Sequence, residues 1–207
     1  MHYSAPSETF SQLVAISMVL DLLGTLLSLL STWYFIKVDR KAWLISIFAT
    51  AINSVLYFQK GIFADTALEL FYLSNSLYGF FLWGRNSTSA DRIRRLSLTQ
   101  TIKLLFLILA LYSFIYFLLG QYTPSTVASL DALTCSLSIM GQWLMCYKVI
   151  FTWVIWFFTD AIYAYLYFHK QIPFHALLML LYTIMAVLGY LTWSSYDVRL
   201  NQTKIFT

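Results

Sequence analysis

Hydrophobic residues along this chain come in long blocks, broken at short intervals by small clusters of charged and polar residues. A helix that crosses a membrane needs about 20 mostly apolar residues. Seven blocks meet or approach that length: residues 13–36, 43–59, 63–84, 102–120, 124–147, 151–168 and 173–193. The longest polar stretch, Gly84 to Thr101, joins the third block to the fourth. The other connections are too short to hold a soluble domain. The pattern predicts an all-α polytopic membrane protein with seven transmembrane helices.

Composition agrees with that class. Of 207 residues, 60% are hydrophobic and 11% charged, with mean hydropathy +0.71. A soluble domain carries roughly 25% charged residues, so this surface cannot be solvated as a globule. Cys135 and Cys146 both fall in an apolar block and read as packing residues rather than a disulfide or metal site. The start, MHYSAPSETF, has no basic region of the kind that opens a cleaved signal peptide.

Basic residues set the orientation. Lys37, Arg40, Lys41, Arg85, Arg92, Arg94, Arg95, Lys103, Lys148, Arg199 and Lys204 fall on one side, against Lys60 and Lys170 on the other. Lysine and arginine concentrate on the cytoplasmic face, so the N-terminus is expected outside and the C-terminus inside. The net charge of +4 is explained by topology and calls for no nucleic-acid partner.

The chain also repeats itself. WLISIFATAINSVLYFQKGI, from Trp43, aligns without a gap on WVIWFFTDAIYAYLYFHKQI, from Trp153, an offset of 110. Between positions 20–83 and 130–193, 21 of 64 pairs are identical, among them Asp21/Asp131, Trp33/Trp143, Tyr72/Tyr182, Gly79/Gly189 and Trp83/Trp193. This predicts a first three-helix unit at 13–84 and a second at 121–193. A basic loop and linker helix occupy 85–120, and a cytoplasmic tail 194–207. Two three-helix units joined directly would be inverted relative to each other. The unmatched span at Thr101–Gly120 carries the chain back across, giving a 3+1+3 parallel repeat. Transporters use such repeats, with the substrate near the midplane between the units.

Matched positions serve the shared scaffold, whereas a ligand without two-fold symmetry needs positions that differ. Six of the seven tryptophans pair across the halves (33/143, 43/153, 83/193) at the expected cytoplasmic ends of spans, where an interfacial aromatic belt belongs. The seventh, Trp156, is matched by Ser46. Asp21 and Asp131 are matched, as symmetric helix contacts or parts of an outer vestibule. Asp160 is matched by Thr50. At 1.5 Å per residue it lies roughly 13 Å along its helix from the inner end, near the midplane. An acid at that depth is a functional candidate; the alternative is a protonated side chain bonded to a neighbouring helix. Trp153, Trp156 and Asp160, spaced i, i+3 and i+7, share a face that Tyr163 and Tyr167 extend outward. Asn53, Asn75 and Gln142 are further mid-depth polar residues with unlike counterparts, each a candidate for a pocket or for interhelical bonding. The acids of the spans (Asp21, Glu69, Asp131, Asp160), without basic residues in their cores, suit a flat organic cation held by an aromatic ring and a carboxylate.

The segments LFYLSNSLYGFFLW (Leu70–Trp83), SIMGQWLMCYKVIFTWVIWFFTDAIYAYLY (Ser138–Tyr167) and LYTIMAVLGYLTW (Leu181–Trp193) resemble the PnuC family of nicotinamide riboside transporters. The resemblance covers nearly the whole chain. It implies a SWEET-like fold, a homotrimer in the bacterial inner membrane, and import by facilitated diffusion. No cofactor is involved, and the riboside is trapped through phosphorylation by a cytoplasmic kinase. In the family, the second tryptophan of a W-x-x-W motif and polar groups on facing helices contact the substrate. The corresponding substrate-binding set here is Trp156, Asp160, Asn53, Asn75 and Gln142, with Trp153 and Tyr163. Many members carry Asn at or near the position of Asp160, so the acid departs from the pattern. Relatives carry thiamine or riboflavin, which keeps thiamine, another flat cation, as the alternative substrate. A retinal photoreceptor would need a lysine within the last span, and Phe174–Trp193 has none. No metalloprotease or serine-hydrolase motif and no His/Cys cluster points to an enzyme.

Overall fold

The computed structural model describes residues 6–59, 61, 63–84, 93–122, 128–169 and 173–203. Arg85, Arg92, Lys60, Lys170 and Lys204, used above for orientation, lie outside the described residues.

Seven helices follow the seven blocks: α1 (Pro6–Ile36), α2 (Lys41–Gln59), α3 (Phe63–Gly84), α4 (Leu98–Tyr122), α5 (Ala128–Cys146), α6 (Phe151–His169) and α7 (Pro173–Thr203). α7 runs well past residue 193, so the expected tail begins as a continuation of the last helix. Four helices are long and apolar enough to cross a membrane on composition alone: α1, α2, α4 and α7. The other three, α3, α5 and α6, carry many of the polar and aromatic residues that face inward. A helix shielded by its neighbours needs fewer lipid-compatible side chains.

The contacts define a closed ring. α1 packs on α2, α2 on α3, α3 on α5, α5 on α6, α6 on α7, and α7 back on α1. α4 touches α5 alone and stands outside the ring, with Leu105, Phe106, Leu109 and Phe117 exposed. The two units therefore meet at two seams, α3–α5 and α7–α1, related by the pseudo-two-fold of the repeat.

Both units are tied internally by the same devices. Two residues past the ends of α1 and α5 stands a left-handed residue, Val38 (φ 57°) and Lys148 (φ 54°), 110 positions apart. Each closes a reverse turn with paired backbone bonds, Val38 N–H to Phe35 and Asp39 N–H to Tyr34, Lys148 N–H to Met145 and Val149 N–H to Leu144. This capping geometry usually selects glycine. The next helix starts at once and leaves no slack in the turn. Just inside, one pair of positions bridges the first two helices of each unit with the roles exchanged. Ser31 Oγ donates to the Ala42 carbonyl (3.0 Å), and Thr152 Oγ1 donates to the Gly141 carbonyl (2.7 Å). Gly79 and Gly189 let the third helix approach so closely that an added Cβ would fall inside the indoles of Trp43 and Trp153.

The tryptophans correct one expectation. Trp43, Trp83, Trp153 and Trp193 are no more than 3% exposed and do not form an interfacial belt. They pack together across the ring, Trp43 against Trp83 (5.5 Å), Trp83 against Trp193 (6.4 Å) and Trp193 against Trp153 (5.4 Å). Trp83 Nε1 donates to the Cys146 carbonyl (2.9 Å) and Trp193 Nε1 to the Phe35 carbonyl (3.0 Å), one bond over each seam. Only Trp33 and Trp143, about two-fifths exposed, face outward as a belt residue would. Lys148, expected as a loop charge, is also buried, with its ammonium 4.6 Å over the Trp83 ring. The loop beside it is pinned by backbone bonds from Arg94 N–H to the Lys148 carbonyl and from Ile150 N–H to the Arg94 carbonyl. Arg95 continues the tie with an ion pair to Asp197 on α7 (2.7 Å).

Candidate functional site

Outward from the tryptophan cluster the six-helix ring encloses a cavity of about 320 Å³, within the range of small-molecule sites. All six ring helices line it and α4 does not. Two symmetric hydrogen bonds bridge the seams at this level, Tyr72 with Ser138 and Tyr182 with Ser28. Those four residues are two matched pairs of the repeat, so they belong to the scaffold as well as to the wall.

The halves diverge on the facing helices α2 and α6. In the first unit, Ser46 Oγ bonds Ser76 Oγ (2.9 Å) and closes α2 against α3. The matching positions of the second unit are Trp156 and Ala186. No hydroxyl pair forms there, and the indole enters the cavity instead. Gly141, matched by Ser31, makes room: a Cβ there would stand 3.2 Å from the Trp156 ring. Across the α3–α5 seam the Trp156 ring lies 6.4 Å from that of Tyr72. One turn farther out, Thr50 Oγ1 returns its proton to the Ser46 carbonyl (2.8 Å), a self-contained bond. Its counterpart Asp160 lies in the cavity wall at 8% exposure, with no hydrogen bond or ion pair to its carboxylate among the described residues. Beyond that, Asn53 Nδ2 donates to Glu69 Oε1 (3.3 Å) and packs where Gly24 has no side chain. In the second unit the same two positions are Tyr163 and Thr134, which bond to each other.

Six of the seven expected site residues thus meet around one cavity: Trp153, Trp156, Asp160, Tyr163, Asn53 and Gln142. Asn75 does not line it. Its Oδ1 accepts from the Cys146 thiol (3.2 Å), so it acts between helices at the α3–α5 seam. Spacing along a helix gives depth and face but not which side of a neighbour the face meets, and that separated Asn75 from the rest. Asp21, Asp65, Glu69 and Asp160 all line the cavity, and among the described residues no lysine or arginine does. Asp131, the partner of Asp21 in the repeat, is not in the wall. Sequence reasoning passed over Asp65, Tyr72 and Tyr182 as wall residues. The matching of Tyr72 and Tyr182 was visible, but it marked them only as scaffold.

A ring of two parallel three-helix units around a polar cavity, with a lone linker helix outside, defines a multi-pass membrane transporter. The chain resembles a solved structure described as the vitamin B3 transporter PnuC, with a TM-score of 0.73 and 18% identity over 95% of this chain and 94% of that one. A profile of the nicotinamide mononucleotide transporter family matches residues 18–195. The chain therefore belongs to that family, PnuC, whose members are transporters and not enzymes. Among curated proteins none is significantly similar in sequence.

Proposed function

We propose that this protein imports nicotinamide riboside, a flat pyridinium cation bearing a neutral sugar. The observation that carries the reading is the cavity wall, which among the described residues holds four carboxylates and no basic side chain, with Trp156 and Asp160, unpartnered among those residues, on one helix face. An indole attracts a cationic ring placed over its face, by roughly 2 kcal/mol when desolvated. A carboxylate one turn away offsets the charge. Gln142 and Asn53 offer amides to the ribose hydroxyls. A phosphorylated substrate would bring negative charge into an acidic site, which favours the riboside over the mononucleotide that gives the family its name.

The rest of the reading follows from the family and the charge pattern. Transport is facilitated diffusion, made one-way by a cytoplasmic kinase that phosphorylates the riboside. The carrier is a homotrimer in the bacterial inner membrane, N-terminus outside, with the tryptophan cluster at the cytoplasmic end. Thiamine, also a flat cation, is the second reading that the acidic wall accommodates. Calorimetry on the purified protein with nicotinamide riboside, thiamine and nicotinamide mononucleotide separates them. The riboside is expected to bind most tightly and the mononucleotide not measurably. Tighter binding of thiamine or the mononucleotide would overturn the assignment.

A further inference from the structure

Among the described residues no hydrogen bond or ion pair reaches the Asp160 carboxylate. Glu69 at least accepts a bond from Asn53. In the cavity wall that holds Asp160, α1 contributes Asp21, α2 Tyr57, α3 Asp65, Glu69 and Tyr72, α6 itself Tyr163 and Tyr167, and α7 Tyr182. α5 adds only Ser138, Gln142 and Met145. None of these groups brings a positive charge. A carrier that exposes its site first to one side and then to the other closes over that site twice per cycle. With a cation bound, carboxylate and cation neutralise each other. With the site empty, closure would strip water from a bare carboxylate with nothing gained in return.

We propose that Asp160 carries one positive charge on both legs of the cycle, the cationic substrate inward and a proton on the return. The O–H bond forms at the cytoplasmic opening once the substrate leaves. It breaks at the outer opening, where the next cation displaces the proton to bulk water. Each turn moves one cation in and one proton out, with no net charge crossing the membrane. This rests on the cation-carrier reading above. At equal pH on both sides the substrate gradient alone still sets the direction, as in facilitated diffusion. What changes from simple facilitated diffusion is that each cation imported exports a proton, so membrane voltage gives no drive and an acidic exterior opposes import.

The test uses the full chain reconstituted in liposomes that enclose a pH-indicating dye, with labelled nicotinamide riboside outside. Label is expected to enter, the lumen to become alkaline one proton for one label, and a negative-inside potassium diffusion potential to leave the rate unchanged. In Asp160→Asn, any remaining uptake should lose the pH change and become faster under that potential. Where the variant does not transport, the wild-type readings decide alone. Wild-type uptake that is voltage-driven with a flat lumenal pH overturns the proton return and leaves the riboside carrier standing. Uptake that needs lumenal sodium, again with flat pH, does the same. Absence of label uptake overturns the carrier reading and this inference with it.

Discussion

The tryptophan-packed end of the ring and its middle are built on opposite rules. At the tryptophan end the two units agree. Trp43 with Gly79 is repeated as Trp153 with Gly189, and Trp83 and Trp193 each donate over one seam. At the midplane the units part. Ser46 and Thr50 spend their hydroxyls within their own half, while Trp156 and Asp160 turn to the cavity. A symmetric closure suits a seam that must meet itself on both sides. An asymmetric wall suits a substrate with a charged ring at one end and a sugar at the other. Mismatch within a repeat is informative only against the background of what matches.

Trp156→Ala and Asp160→Ala should each lower riboside uptake by at least roughly tenfold, which corresponds to about 1.4 kcal/mol, with folded yield unchanged in detergent chromatography. Wild-type uptake in both variants would remove the midplane site. Next comes the scaffold. Gly189→Val puts a branched side chain into the Trp153 indole, and overpacking of this kind costs about 1–3 kcal/mol. A lowered melting temperature is expected, and Gly79→Val should behave alike because the contact is matched. A large effect at only one of the two would show that the symmetry is not energetic. Comparable is Trp193→Phe, which keeps one aromatic ring but loses the five-membered ring of a fully buried indole and its bond to Phe35. The bond alone is worth about 0.5–1.5 kcal/mol of stability and the space left behind adds to it, read as a shift of the thermal transition. The smallest effect belongs to Trp143→Phe, at an exposed position, where neither melting temperature nor uptake should change measurably.

Much of this was legible in the chain. Block lengths gave seven helices because lipid imposes a length on each span. The gapless offset of 110 exposed the 3+1+3 arrangement, and Val38 and Lys148 show how literally it holds, since two unlike residues adopt the same left-handed turn. The face Trp153–Trp156–Asp160 followed from 3.6 residues per turn. What escaped needed knowledge of neighbours. Trp43, Trp83, Trp153 and Trp193 sit at span ends, where lipid headgroups and a packed helix junction ask for the same residue type. Only the ring closure tells the two apart. Asn75 has the right depth and the wrong side. Lys148 counts towards topology by its charge, yet the Trp83 ring holds it under the surface.

The account stands on the claim that the unmatched residues of α6 hold the cation. Calorimetric titration of nicotinamide riboside into the purified wild-type protein and the Trp156→Ala variant, both with their melting temperatures measured, tests it most directly. Saturable binding to the wild type, and loss of at least roughly tenfold in affinity for a variant that melts at the same temperature, is the predicted result. Equal affinities in two equally stable proteins would contradict it.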